Sequence, residues 1–187
     1  MVAYHDTEWG VPVHDDRKHF EFMVLDAFQA GLSWAIVLGK RDGFRRAFAE
    51  FDPAKVARFN SRSVERLMGD AGIVRNRQKI EACVGNAKAF LCVAEEHGSF
   101  DRWIWQFTDG ATKPNAWPSM KHVPATSTES DAMSKALGKL GFKFVGSTIC
   151  YAYMQAAGLV NDHEVACFRH DELGGPVRGP AGARGAR

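Results

Sequence analysis

VERLMGDAGIVRNRQKIEACVGNAKAF, residues 64 to 90, carries apolar side chains at helical spacing on both sides of one interruption. Val64, Leu67, Met68 and Ala71 precede Gly72, and Ile80, Cys83, Val84, Ala87, Phe90 and the adjoining Leu91 repeat the interval after it. Positions three and four apart share one helix face, so the stretch predicts two amphipathic helices joined by a tight turn. Gly72 is expected to supply a positive φ, which lets the helices meet in a short hairpin. Arg75, Arg77, Lys79 and Lys88 crowd the turn and the second helix against one acid, Glu81. Backbone N–H groups at a helix start beside clustered cations suit a phosphate, so the segment can grip a nucleic-acid backbone. An ordinary αα-hairpin with a solvated basic edge fits the same residues. A second basic turn, SKALGKLGFKFVG (134–146), sets Lys135, Lys139 and Lys143 near glycines, and two such loops favour DNA.

Working outward, the helical period returns at Phe20, Met23, Val24, Ala27 and Phe28. Strand-like alternation of useful length is absent, and Thr108 to Thr128, around Trp117-Pro118 and Val123-Pro124, reads as a long irregular connection. The class is all-α. Ser127 or Ser130 is expected to cap a helix that holds Asp131 in its first turn, runs through Ala136 to Leu140 and stops at Gly141. Another spans Thr148 to Ala157 and ends at Gly158. At 187 residues the chain fits one domain, residues 1–173, of two intimately packed lobes. The last stretch, GGPVRGPAGARGAR (174–187), is too rich in Gly, Pro, Ala and Arg to bury a core and is expected to be a mobile basic tail.

With 45% apolar and 25% charged residues the composition is that of a soluble globular protein. No apolar run approaches the roughly 20 residues that span a bilayer, and no basic-then-apolar signal opens the chain, so a cytoplasmic location and no membrane partner are expected. Cys83, Cys92, Cys150 and Cys167 lie far apart, which favours reduced thiols over a disulfide framework. The net charge of +2 does not by itself declare a polyanionic partner.

Two smaller features suggest chemistry. In LDAFQAGLSW (25–34) a single carboxylate, Asp26, interrupts an apolar run just before a glycine turn and Trp34. On those residues alone Asp26 fits an acid paired with an arginine, and Trp34 and Tyr4 fit core packing. In HEVAC (163–167), His163 and Cys167 stand at i and i+4 on a helical turn and could meet His5 around Zn²⁺.

The stretches AYHDTEWGVPVHDD (3–16), QAGLSW (29–34), FDPAKVA (51–57), DAGIVRNRQKI (70–80), GNAKAF (85–90) and STESDAMSKALGKLGFKFVGSTICYAYMQAAGLVNDH (127–163) occur in one order. In that order the chain resembles the 3-methyladenine DNA glycosylase I family of base-excision repair. The resemblance implies an all-helical helix-hairpin-helix DNA glycosylase fold, with two helical lobes around a base pocket. It implies an enzyme that flips 3-methyladenine out of double-stranded alkylated DNA and hydrolyses its N-glycosyl bond, acting as a monomer and leaving an abasic site. A modified base must leave the stack before this cut, and stacking and edge hydrogen bonds then recognise it. Trp34 resembles the family's stacking tryptophan, Tyr4 its hydrogen-bonding tyrosine, and Asp26 its recognition carboxylate, a glutamate in most members. Leu32 is implied as a wedge into the vacated gap; Gly72, Arg75, Arg77, Lys79 and Lys143 of the two basic turns are the residues expected on the DNA backbone. The resemblance also implies a structural zinc on His5, His163 and Cys167. The family's upstream cysteine ligand and a nearby pocket tryptophan have no counterpart before Tyr4, so His170, His14 or a water are alternatives for the fourth position. Two other classes fit the same residues: a DNA-binding relative that recognises lesions without efficient excision, and a zinc-tethered helical interaction module.

Overall fold

The computed structural model describes residues 1–175. The tail expected at 174–187 lies, apart from Gly174 and Gly175, outside the described residues. Helices dominate: α1 Val2–Thr7, α2 Asp16–Gln29, α3 Trp34–Gly39, α4 Arg41–Ala47, α5 Pro53–Val56, α6 Ser61–Met68, α7 Arg77–His97, α8 Phe100–Ile104, α9 Thr128–Lys139, α10 Ser147–Ala156 and α11 Phe168–Glu172. The all-α class therefore holds, with one addition. Lys113–Pro114 (β1) pairs in parallel with Val160–Asn161 (β2), a two-residue bridge too short to leave an alternating pattern.

The middle of the fold is α2. Phe20, Phe22, Leu25 and Phe28 are fully buried on it, so this helix is covered all round rather than along one stripe. It packs on α3 and α7 and also on α8 and α10, which joins the parts of the chain before and after residue 98. Its start is capped by Asp15, whose carboxylate accepts from Lys18 N at 2.8 Å. Asp16 accepts from the backbone N–H groups of Phe100 and Asp101 at 3.1 and 2.8 Å, so the α2 start also holds the α8 start. The helix stops after Gln29, where Gly31 takes φ +80.

The helix ends expected from sequence fall within a residue or two of those observed. Ser127 and Ser130 form a reciprocal capping box at the start of α9, and Gly141 follows that helix with φ +88. The Gly72 turn needs correction. Eight residues, 69–76, separate α6 from α7, and Gly72 is not among the positive-φ glycines. What requires a glycine here is closeness. A Cβ on the facing Gly43 would sit 2.1 Å from the Gly72 carbonyl oxygen, and one on Gly72 would lie 2.9 Å from Asp70 Oδ1, which accepts from Gly72 N at 2.7 Å. The turn is thus pressed against α4, backbone to backbone.

Candidate functional site

A cavity of about 530 Å³ opens where α1, the end of α2, α3, α10 and the segment after β2 meet. Tyr4 enters it from α1, Asp26 and Gln29 from α2, Trp34 from the first position of α3, and Gln155 from α10. The Tyr4 and Trp34 rings stand 5.5 Å apart at 47°. Three polar atoms at this cavity are buried without a hydrogen-bond partner: the Tyr4 hydroxyl, Asp26 Oδ2 and Trp34 Nε1. Buried polar groups are otherwise paired almost without exception, so three orphans around one cavity point to a ligand that supplies their partners.

Asp26 is 3% exposed, and neither an arginine nor any other side chain answers it. The arginine pairing that the sequence suggested is therefore absent. Burial alone drives its carboxyl well above the ordinary range, because the charged form loses its water and gains nothing in return. Asp162 shows what an ordinary buried acid looks like in the same protein. It is 1% exposed and accepts from Asn115 Nδ2 (2.6 Å), Trp117 Nε1 (2.8 Å), the Tyr151 hydroxyl (2.7 Å) and Gln155 Nε2 (2.8 Å). That hub pins the irregular connection to α10 and sets the backbone just before His163. Nothing in local spacing announces it, because its donors come from two separate segments, 115–117 and α10.

Tyr4 is held in place by charges the sequence reading did not pick out. Glu8, just beyond α1, pairs with both terminal guanidinium nitrogens of Arg41, Nη1 and Nη2, and with Lys18 Nζ at 2.7 Å. Arg41 Nε and Lys18 Nζ also reach Glu21 at 2.7 and 2.9 Å. Although burial opposes it, these cations hold the Glu8 carboxyl down at about 2. The network fastens the short α1 to α2 and α4. Burial in turn keeps the Tyr4 phenol far above its usual pKa and so protonated.

His5, His163 and Cys167 face the same cavity, with their donor atoms within 4.8 Å of one another. Cys167 Sγ lies 3.6 Å from both His5 Nε2 and His163 Nδ1. Zn–S of about 2.3 Å and Zn–N of about 2.0–2.1 Å at tetrahedral angles require roughly 3.6 Å between such donors. The other ring nitrogens are engaged as a metal site demands. His5 Nδ1 is 2.7 Å from Asp6 Oδ1, and His163 Nε2 donates to the Trp9 carbonyl at 3.1 Å, leaving the inward nitrogens free to ligate. The three residues fit a zinc ion. His170 and His14 do not join them: His170 Nε2 donates to the Asn115 carbonyl at 2.9 Å, and His14 pairs with Asp101 at 3.2 Å.

The residues expected on a nucleic-acid backbone divide. Leu32 is 36% exposed at the Gly31 turn, held there by Leu32 N to Gln29 O at 2.7 Å. Arg75 and Lys143 are exposed, and Arg75 has no ion pair among the described residues. Arg77 is drawn to Glu65, donating to both its oxygens at 2.8 and 2.9 Å, so its charge is partly spent within the fold. Lys79 contradicts its expected role. It is 6% exposed, and Nζ donates to the carbonyls of Phe28 at 2.9 Å and Ala30 at 2.5 Å. Helix geometry explains this, since Lys79 lies on the same face as Ile80 and Cys83 and points inward. Its amide is also committed, donating to the Asn76 cap at 3.1 Å.

A family model described as methyladenine glycosylase matches residues 1–170. The DNA-3-methyladenine glycosylase 1 of Escherichia coli (strain K12) is 50% identical over 166 residues, covering 89% of each chain. The DNA-3-methyladenine glycosylase of Haemophilus influenzae is 45% identical over 166 residues, covering 89% of this chain and 90% of that one. A solved 3-methyladenine DNA glycosylase I, a tyrosine-to-phenylalanine variant in complex with 3-methyladenine, superposes with a TM-score of 0.87 at 32% identity, covering 89% of each chain.

Proposed function

The chain belongs to the methyladenine glycosylase family, and from that premise we propose that its cavity receives an extruded base between Tyr4, Asp26 and Trp34. The protein is a DNA repair N-glycosylase that excises 3-methyladenine from alkylated DNA. The observation that carries the assignment of the cavity is the set of three unpartnered polar atoms, Tyr4 OH, Asp26 Oδ2 and Trp34 Nε1, around it.

Adenine alkylated at N3 is cationic while its glycosidic bond is intact. The faces of Trp34 and Tyr4 attract such a ring by stacking and cation–π forces, and Asp26 accepts from its donors. Because that base already carries positive charge, it departs with the bonding electrons as a neutral molecule and needs no added proton. Water then forms the new bond at the sugar carbon and loses a proton, leaving an abasic site. The protein's task is therefore chiefly to select, orient and keep the base from restacking. Neutral adenine would require a proton donor at the leaving group, so substrate chemistry supplies part of the selectivity. Lys79 holds two backbone carbonyls rather than facing the cavity, which supports hydrolysis without strand cleavage.

Arg75 and Lys143 serve the duplex backbone, and Leu32 enters the gap left by the extruded base. His5, His163 and Cys167 would hold a structural zinc, which supplies a cross-link between the N-terminal helix and the segment after β2. That cross-link steadies α1, and Tyr4 with it. The decisive experiment is release of free base from methylated duplex DNA by wild type, Asp26→Asn and Asp26→Glu, with zinc measured on the same samples. Release of 3-methyladenine that collapses in Asp26→Asn and persists in Asp26→Glu is expected. Undiminished release by Asp26→Asn would remove the carboxylate from the base site.

A further inference from the structure

Lys79 is an ammonium group buried in the first turn of α7 with no carboxylate beside it. Desolvation lowers its pKa, the mark of a cation held away from water. What it holds is specific. Phe28 belongs to the last turn of α2 and Ala30 is that helix's C-cap, so Lys79 answers carbonyls that lack intrahelical partners. One residue beyond Ala30, Gly31 turns the chain at φ +80 and presents Leu32 outward. Asp26 stands four residues before Ala30, and Trp34 four residues after it. The Lys79 ammonium therefore sits at the joint between the basic hairpin and the turn that separates carboxylate from indole.

The neighbouring contacts make this joint a designed seam rather than a chance burial. Lys40 Nζ, at the α3–α4 junction, donates to the Ala71 carbonyl in the hairpin turn at 2.7 Å, and Gly43 meets Gly72 backbone to backbone. Seven residues along α7 from Lys79, Asn86 is also buried and clasps the second basic loop. Its Nδ2 donates to the Lys143 carbonyl at 3.0 Å and its Oδ1 accepts from Lys143 N at 2.8 Å. Positions seven apart share a helix face, so one face of α7 fixes the Leu32 turn through Lys79 and the Lys143 loop through Asn86.

We propose that Lys79 is a positioning residue for base excision: through its two backbone carbonyls it registers the phosphate-gripping hairpin against the Leu32 turn, and it touches no phosphate itself. The inference rests on the glycosylase reading above. Engagement of the duplex by the hairpin then presents Leu32 at a fixed distance from the cavity. Loosening the joint should leave both the pocket and the duplex grip intact while uncoupling one from the other.

The test compares wild type with Lys79→Met and Lys79→Arg, using Arg75→Ala as a phosphate-contact control, each checked for folding by circular dichroism. Three quantities are measured: salt dependence of binding to undamaged duplex, affinity for free 3-methyladenine by tryptophan fluorescence, and single-turnover release from methylated duplex. Lys79→Met is expected to keep the wild-type salt slope and free-base affinity while release slows at least tenfold, with partial recovery in Lys79→Arg. Arg75→Ala is expected to reduce the salt slope by about one phosphate's worth. A reduced slope in Lys79→Met would make Lys79 a phosphate contact and overturn the proposal. So would unchanged release, or free-base affinity falling in step with release. If Lys79→Met does not fold, Lys79→Arg decides by the same three readings: slowed release with intact slope and free-base affinity supports the proposal, and any other pattern overturns it. Wild type that releases nothing would instead defeat the glycosylase reading, while the salt slopes still report whether Lys79 meets phosphate.

Discussion

Replacing Asp26 with asparagine should make the protein more stable at neutral pH and less active. An aspartate in the unfolded chain loses its proton near pH 3.9, whereas burial in the fold holds the Asp26 proton to a higher pH. Between those two points the native state binds more protons than the unfolded state. Wild-type stability therefore falls as pH rises, by about 1.4 kcal/mol per pH unit, and levels off above the folded pKa. The asparagine variant has no such slope from this position. The difference between the two should be constant below about pH 4, grow in the variant's favour with pH, and then flatten. For a chain of this size about 1 kcal/mol moves the unfolding midpoint by 2–4 °C, so the gap should widen by roughly 3–5 °C per pH unit over the sloping range. Thermal unfolding followed by circular dichroism from pH 4 to 8, at constant ionic strength and with zinc saturating throughout, measures it. In the same variant, loss of a charge-assisted contact worth about 1.5–3 kcal/mol should slow base release roughly 10- to 150-fold. Unfolding curves that stay parallel across the whole pH range would mean that Asp26 is not held protonated by burial, and the reasoning would fail.

Two other perturbations follow from the surroundings of the cavity. Purified protein should carry one zinc per chain, lost in His163→Ala and in Cys167→Ser, with a lower unfolding midpoint in both; full zinc content in either variant would remove that residue from the site. Arg41→Met should leave Glu8 and Glu21 without their main partner and cost about 1–3 kcal/mol at pH 7, discounted for the partial exposure of Glu8. Since the Glu8 carboxyl is held down at about 2, its contribution is complete above the ordinary 4.5 and vanishes as pH falls toward 2. Acid titration of wild type and Arg41→Met should therefore converge over that range, and curves that remain parallel to pH 2 would contradict the pairing.

Much of this architecture could be read from spacing because helices are local objects. The apolar intervals that mark α6 and α7, the serine cap at Ser127 and the glycine stops at 31 and 141 act within one or two turns, and the structure has helices there, although the connection between α6 and α7 is longer than the tight turn expected at Gly72. Side-chain direction at the hairpin was less legible. Lys79 and Arg75 are four residues apart in the same basic run, yet one is buried and the other exposed, because the helix starts between them. Counting charge within a window cannot separate them; helical phase from Ile80 and Cys83 could have done so. The Glu8–Arg41–Glu21 network and the Asp162 hub were invisible for another reason. Their partners come together only when α1 and the 115–117 segment fold back on α2 and α10, and no short-range signal encodes that meeting.

Asp26 and Asp162 bring the physical logic to one comparison. Both are almost fully buried, and each faces the same kind of desolvation cost, but only Asp26 lines the cavity. Asp162 meets that cost internally, with four donors from four residues, and its function is spent on holding backbone in place. Asp26 meets none of it, and the hydroxyl of Tyr4 and the indole N–H of Trp34 share its condition. A fold under selection for stability alone would have paired these three or replaced them with apolar groups, since an unsatisfied buried polar atom costs about 1–3 kcal/mol. Keeping them open makes sense only if a visiting molecule completes them. The site thus stores its specificity as unmet hydrogen bonds, and a cationic base that supplies donors to Asp26 recovers more than a neutral one that leaves the carboxylate protonated or alone.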